Sequence, residues 1–277
     1  MRKDKAGRVQ ILSMQRALGV VCALVWLVTA ARAETSAEPT KPTSLTYLIS
    51  AFASQPYQVS PPQNGYSGIV TEVLDLVVAN SQISVSERVL PYRRLQRGLQ
   101  EQIFQRWVSY AAPVWLAPEV KALTWVSSTP LFSTSYQLAG LAPNINNPLE
   151  AQAQRIIIID GYRYGGSFSA WVQALGHVLV EAPSHAQALA MLRKDRGDLY
   201  VAEDVRIHWE AMRAGIGPDD LALYDFSSII PDSDVFLIAD AGLAEAEKKW
   251  LEARLKALQN SGELRRIYDR YLNARFY

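Results

Sequence analysis

Residues 155–167, RIIIIDGYRYGGS, give the clearest indication of the fold. Its four consecutive isoleucines are apolar on both faces, which is typical of a central parallel strand that helices cover on both sides. A glycine-rich turn follows at 160–167, and the next residues place Phe168 and Trp171 on one face of a helix. A strand, a glycine-rich turn and a helix in this order predict an α/β fold.

The same alternation continues on both sides of this stretch. Prolines and glycines at 55–68 predict an irregular loop, and the spacing of Ser184 and Gln187 predicts a capping box at the start of a helix. The other predicted elements are strands at 44–49, 178–180 and 198–202, and helices at 69–78, 168–175, 244–258 and 264–272.

The N-terminal residues have the pattern of an export signal. A basic start leads into an apolar run of fourteen residues at 17–30, and Ala31-Arg32-Ala33 supplies the small residues of a cleavage site. The alternative is an uncleaved membrane anchor, but such an anchor needs roughly 20 apolar residues. We therefore expect a signal peptide at 1–33 that is cleaved after Ala33, a mobile polar leader at 34–43 and a periplasmic protein.

Composition excludes several classes of function for the exported chain. The segment 1–33 carries six Lys or Arg and one Asp, so its removal changes the formal charge from +1 to −4 and gives no reason to expect a nucleic-acid partner. The only cysteine, Cys22, leaves with the signal. The spacing of His177, His185 and His208 fits no compact metal motif. We expect a soluble protein that needs no metal and no cofactor.

Two clusters of polar residues stand at predicted strand ends. The turn at 161–167 has Ser167 where a phosphate-binding loop needs lysine, so its backbone N–H groups suit at most a carboxylate or another small anion. Glu203 and Asp204 follow a predicted strand directly, which is where ligands bind in open α/β sheets. A carboxylate there suits an ammonium or guanidinium group.

Six motifs in chain order resemble the bacterial extracellular solute-binding proteins of family 3, which deliver polar amino acids to ABC importers. The resemblance extends from about Leu45 to Leu272. The motifs are Pro56-Tyr57 followed by GYSGIVTEVL at 65–74, LPYRRL at 90–95, STPL at 128–131, Gly197-Asp198, Glu203-Asp204 and SGELRRIY at 261–268.

The resemblance implies a two-lobed, type II-like periplasmic binding protein fold. Each lobe would be a mostly parallel sheet flanked by helices, and two crossing strands would join the lobes. Lobe one would comprise residues 44–138 and 232–277, and lobe two residues 139–231. The implied protein is a monomer without catalytic activity. It captures a small polar, amino acid-like solute and docks on an ABC transporter permease or a membrane receptor.

The resemblance also implies a set of ligand-binding residues. It places Lys121 where the family has an arginine for the α-carboxylate, Ser167 where a hydroxyl faces the same group, and Glu203 where an aspartate binds the α-amino group. Tyr57 and Tyr92 would line the cleft with aromatic faces, as would Trp115 and Phe132 if they are not core residues. The remaining candidates belong to the matching motifs and are Arg94 and Ser128.

Two alternative functions share this fold. An exported cyclohexadienyl dehydratase would need a buried general acid, here Glu203 or Glu72, and cations for two carboxylates, here Arg94 and Lys121. A solute sensor would bind its ligand in the same way but dock on a receptor.

Overall fold

The computed structural model describes residues 44–51, 54–63, 65–141 and 146–273. The predicted signal peptide at 1–33 and the predicted leader at 34–43 lie outside these residues. Among the described residues, no helix has the length and apolar character that a membrane span requires.

Strands and helices alternate along most of the described chain. The strands are β1 Ser44–Ala51, β2 Ser84–Pro91, β3 Trp107–Ala111, β4 Thr124–Thr134, β5 Tyr136–Leu141, β6 Arg155–Ile159, β7 Val178–Ala182, β8 Leu199–Glu203, β9 Leu221–Asp225 and β10 Ser233–Asp240. The helices are α1 Ile69–Val78, α2 Tyr92–Gln100, α3 Pro118–Lys121, α4 Gly166–Leu175, α5 His185–Arg193, α6 Asp204–Arg213, α7 Glu245–Asn260 and α8 Glu263–Leu272.

The strands form two five-stranded sheets of the same design. The order is β2-β1-β3-β10-β4 in the first sheet and β7-β6-β8-β5-β9 in the second. Four strands of each sheet run in one direction, and β10 or β5 runs antiparallel between two of them. We call the first sheet with α1, α2, α3, α7 and α8 lobe one, and the second sheet with α4, α5 and α6 lobe two.

The four isoleucines of β6 explain how lobe two assembles. Ile156 and Ile158 pack on one face of the sheet with Phe168 and Trp171 of α4. The other two isoleucines, at 157 and 159, pack on the opposite face with Leu189 of α5. All four are at most 9% exposed. The predicted central strand with helices on both faces is therefore confirmed.

The chain crosses between the lobes twice. Ser135 alone separates β4 of lobe one from β5 of lobe two, and the chain returns between β9 and β10. The fold is thus a two-lobed α/β structure with two crossings, as predicted. The strand β5 pairs only within the second sheet although it spans the expected limit at 138/139. The residue limits of the lobes stay a prediction.

Helix α6 belongs to lobe two by sequence but packs into the core of lobe one. Its Trp209 is fully buried, and the indole lies 5.5 Å from the ring of Tyr66 and 5.5 Å from the ring of Tyr271, measured between centroids. Val205, one turn earlier, joins the same core. Because α6 begins directly after β8, this packing ties the end of β8 to lobe one.

Candidate functional site

The carboxyl ends of β1, β3, β6 and β8 meet around a small cavity between the two lobes. Its volume is roughly 70 Å³. Five aromatic side chains line it together with several aliphatic ones from α2 and the segment after β3. The lining residues are Ser50, Gln58, Tyr92, Leu95, Gln96, Leu99, Ser109, Tyr110, Ala111, Trp115, Leu116 and Ile238 from lobe one, and Tyr136, Tyr162, Arg163, Glu203 and Arg206 from lobe two. We call this cavity the cleft.

An ion pair forms the charged part of the cleft. Glu203 is the last residue of β8, and Arg206 lies in the first turn of α6, three residues later. Nε of Arg206 is 2.9 Å from Oε2 of Glu203, and each side chain is only 2% exposed. The strand end and the first helical turn therefore point a carboxylate and a guanidinium toward the same space.

The guanidinium of Arg206 also contacts lobe one. It donates a hydrogen bond of 3.0 Å to the carbonyl oxygen of Gln55 and one of 3.3 Å to the hydroxyl of Tyr110. Its Cζ lies 4.1 Å from the centroid of the Tyr57 ring, which is the geometry of a cation–π contact. Arg206 thus joins the two lobes at the floor of the cleft.

Burial sets the protonation of the groups around this pair. It raises the pKa of Tyr57 well above the usual value, with a further rise from the Glu203 carboxylate, and it raises the pKa of Tyr110 as well. Burial by itself lowers the pKa of Arg206, but Glu203 and the facing tyrosines raise it well above its ordinary value. At neutral pH the site therefore contains neutral phenols around a permanent cation.

The outer edge of the cleft is closed by a second set of contacts between the lobes. The rings of Tyr92 and Tyr162 lie 5.0 Å apart. Beside them, Nε of Arg93 donates a hydrogen bond of 2.9 Å to Oδ2 of Asp160. Arg93 holds the pKa of the Asp160 carboxyl below its usual range, since the hydrogen bond favours the charged form. The two lobes are therefore in contact at the floor and at the edge of the cleft.

Three of the seven ligand-binding residues expected from sequence come together here. Tyr92 and Glu203 line the cleft. Tyr57 is fully buried directly beneath Arg206, and its hydroxyl lies 3.1 Å from Oγ1 of Thr134. Of the two further aromatic candidates, Trp115 lines the cleft, whereas Phe132 stacks on Tyr268 in the core of lobe one.

The other four expected residues do not line the cleft. Arg94 on α2, Lys121 at the end of α3 and Ser167 in the first turn of α4 are all exposed. Ser128 binds Glu252 of α7 through its backbone N–H, at 2.8 Å, and through its hydroxyl, at 2.7 Å. Ser128 therefore joins β4 to a helix of lobe one.

The sequence alone did not indicate Arg206, Tyr110, Tyr136 or Tyr162 as residues of the site. A signal for Arg206 exists in the spacing Glu203-x-x-Arg206, because residues three apart at a helix start face the same way. The tyrosines lie on separate strands and loops, and no local spacing connects them. Among the described residues, no three His, Cys, Asp or Glu side chains come together in a group that could hold a metal ion.

No model of a protein family matches the sequence, and no curated protein matches it. Solved structures do resemble it. The substrate-binding protein of an amino acid ABC transporter superposes with a TM-score of 0.65 and 14% identity, over 83% of this chain and 100% of the other.

Two further structures have a TM-score of 0.63 and 15% identity. An ancestral amino acid-binding protein, described as a precursor of cyclohexadienyl dehydratase, matches over 83% of this chain and 96% of its own. A histidine kinase sensor domain with similarity to periplasmic binding proteins matches over 85% and 98%. At these identities the likeness establishes the two-lobed fold.

Proposed function

We propose, on the premise that the chain has the fold of periplasmic binding proteins, that it captures a small polar, amino acid-like solute between its two lobes. The observation that carries the proposal is the cleft itself. A buried carboxylate and several tyrosines converge there at the carboxyl ends of strands from both sheets. Ligands bind at these strand ends in open α/β sheets.

The groups of the cleft suit such a solute. The carboxylate of Glu203 is the natural partner of an amine, and the tyrosine hydroxyls donate hydrogen bonds to an acid group. Ser50 adds a buried hydroxyl that has no hydrogen-bond partner among the described residues. The aromatic rings cover the apolar part of the solute.

The size of the cleft implies that binding needs a conformational change. The cleft measures about 70 Å³, whereas small-molecule sites measure about 300–1,000 Å³. The two crossings between the lobes allow a hinge motion that widens the cleft. A solute would then enter an opened form and be enclosed when the lobes close.

The experiment is a thermal-shift screen of the purified protein against amino acids, polyamines, opines and dicarboxylates, followed by calorimetry on any solute that raises the melting temperature. Glu203→Gln should weaken binding at least tenfold. Lys121→Ala is the matched control, since Lys121 is expected from sequence but lies outside the cleft. Weakening by Lys121→Ala alone would move the site elsewhere on the protein, and a screen without any binding solute would remove the proposal.

For the partner, we favour the permease of an ABC importer, with a membrane receptor as the alternative. Permease and ATPase genes beside this one would support import, and uptake of the identified solute should then depend on the protein.

For localisation, a mature N-terminus at Glu34 in a periplasmic extract would support export. For the absence of catalysis, incubation with prephenate or arogenate should yield no aromatic product.

A further inference from the structure

We infer that Glu203, Tyr57, Tyr110 and the carbonyl of Gln55 form a subsite for a guanidinium or ammonium group, and that Arg206 of the same chain occupies it as an internal ligand. The inference rests on the proposed function and specifies it, because a solute that carries a cation must displace Arg206.

The four partners together supply what recognition of a guanidinium requires. A carboxylate lies 2.9 Å from Nε, a carbonyl oxygen accepts a hydrogen bond of 3.0 Å and a phenol oxygen accepts one of 3.3 Å. The face of the Tyr57 ring lies 4.1 Å from the guanidinium carbon. A planar cation with several donors matches this set, whereas a neutral or anionic group would leave the Glu203 carboxylate buried without a counterion.

The contacts of Arg206 bridge the lobes as a bound solute would. The arginine and Glu203 belong to lobe two, while Tyr57, Gln55 and Tyr110 belong to lobe one. These contacts exist only when the lobes are together, so they stabilise the closed form. In a two-lobed binding protein a solute normally supplies this bridge. Here a side chain supplies it, and the closed form therefore needs no solute.

An internal cation sets the selectivity of the site. Because Arg206 is tethered beside the subsite, it competes with any free cation at a high effective concentration. The apparent affinity for a cationic solute equals its intrinsic affinity multiplied by the fraction of molecules in which Arg206 has left the subsite, so it is low while that fraction is small. We expect the unmodified protein to bind arginine-like or polyamine-like solutes weakly, and a variant without the guanidinium to bind them well.

The first experiment restores the missing group from solution. Arg206→Ala removes everything beyond Cβ, and ethylguanidinium has the shape and charge of the part removed. At about 20 mM, ethylguanidinium chloride should raise the melting temperature of Arg206→Ala by roughly 2–5 °C, while the same concentration leaves the unmodified protein unchanged. Ethylurea, which has a similar shape without the charge, should have no effect on either protein.

The double variant Arg206→Ala/Glu203→Gln is the matched control, because it keeps the space and removes the carboxylate. It should not respond to ethylguanidinium. Equal responses of the single variant, the double variant and the unmodified protein, or an equal response to ethylurea, would overturn the inference.

A second experiment covers the case in which Arg206→Ala does not fold. Arg206→Met keeps an unbranched side chain without the charge. Spin labels at Gln100→Cys in α2 and Ala190→Cys in α5, in a Cys22→Ser background, report the separation of the lobes without solute. Removal of the guanidinium should lengthen and broaden the measured distance. An identical distance distribution with and without the guanidinium would show that Arg206 does not hold the lobes closed.

These outcomes are separable from the proposed function. If solutes bind through Glu203 and ethylguanidinium does not stabilise Arg206→Ala, solute binding stands and the internal ligand is wrong. If ethylguanidinium binds the variant and no solute binds either protein, the subsite is real and the solute-binding role is wrong.

Discussion

Oε2 of Glu203 and Nε of Arg206 lie 2.9 Å apart, with both side chains almost completely withdrawn from solvent. A buried pair of this kind adds little net stability, because the loss of hydration offsets most of the attraction between the charges. Removing one partner is costly, since the other charge then stays buried without compensation. A substitution that removes either charge of the cleft should therefore also lower the stability of the whole protein.

Glu203→Gln should lower the free energy of unfolding by about 3 kcal/mol, because Arg206 cannot lose its proton and is left uncompensated. Urea unfolding at pH 7 measures the loss. The control is Glu101→Gln, which breaks an exposed pair with Arg97 on α2 and should leave the urea midpoint unchanged. A midpoint for Glu203→Gln equal to that of the control would mean that the pair is hydrated in solution.

Trp209→Ala should lower the free energy of unfolding by about 3–5 kcal/mol, because it empties the space between Tyr66 and Tyr271 at the contact of α6 with lobe one. Trp250 on α7 is only partly buried, so Trp250→Ala should cost less. Chemical denaturation of both variants tests the order. Equal losses would show that α6 does not depend on its packing in lobe one.

Gly68→Ala and Gly65→Ala separate backbone strain from steric clash. Both glycines have positive φ, 110° and 80°, where a side chain costs roughly 1–3 kcal/mol. A Cβ on Gly68 would lie 2.7 Å from the carbonyl oxygen of Tyr57, whereas a Cβ on Gly65 meets nothing within 4 Å. We expect losses of about 3 kcal/mol or more for Gly68→Ala and about 1 kcal/mol for Gly65→Ala.

The same pair of variants also reports on the cleft. A Cβ at position 68 pushes against the backbone of Tyr57, whose ring lies beneath Arg206. Gly68→Ala should therefore weaken binding of any solute found by the screen, whereas Gly65→Ala should not. A stable Gly68→Ala variant with unchanged affinity would show that the conformation of the loop at 55–68 does not affect solute binding.

Stability on the acid side should depend on Asp198. Hydrogen bonds from Arg155 hold the pKa of the Asp198 carboxyl below its ordinary value of about 3.9. A lowered folded-state pKa gives stability that is complete above the ordinary value and is lost as the pH falls through the lowered one. Asp198→Asn should therefore reduce stability by about 1 kcal/mol at pH 7 and flatten its decline below about pH 4. Urea midpoints of both proteins, measured from pH 7 to pH 2.5, test this prediction. Equal declines for the variant and the unmodified protein would mean that Arg155 does not bind Asp198 in solution.

Glu210 should change the pH dependence of stability in the opposite direction to Asp198. Burial raises the pKa of its carboxyl, so its ionisation costs stability as the pH rises through the raised folded-state value. Glu210→Gln should raise the urea midpoint at pH 7, and the gain should disappear near pH 4. A midpoint that falls at both pH values would mean that the contact with Arg213, at 3.5 Å, outweighs the cost of burial.

Local sequence patterns predict the strands β1, β6, β7 and β8 and the helices α1, α4, α5, α7 and α8. Four isoleucines in a row, followed by a glycine-rich turn and a helical pattern, are typical of a strand covered on both faces, so the α/β class is predicted from local composition. The predicted capping interaction is also present, since Ser184 accepts a hydrogen bond from the N–H of Gln187. Glu203 could be placed in the cleft because a residue that ends a parallel strand faces the ligand edge of the sheet.

Which residues of the two lobes contact each other follows from the tertiary structure, because these residues are distant in the sequence. The family resemblance predicts Lys121 as a ligand contact, but the direction of a side chain depends on the packing of its helix, and α3 leaves Lys121 exposed. Arg206 and Trp209 lie on one helix of lobe two, and their partners Tyr57 and Tyr271 are far away in sequence. These contacts form only when β8 brings α6 against lobe one. No local sequence pattern predicts them, because they depend on how the two lobes are arranged in the folded chain.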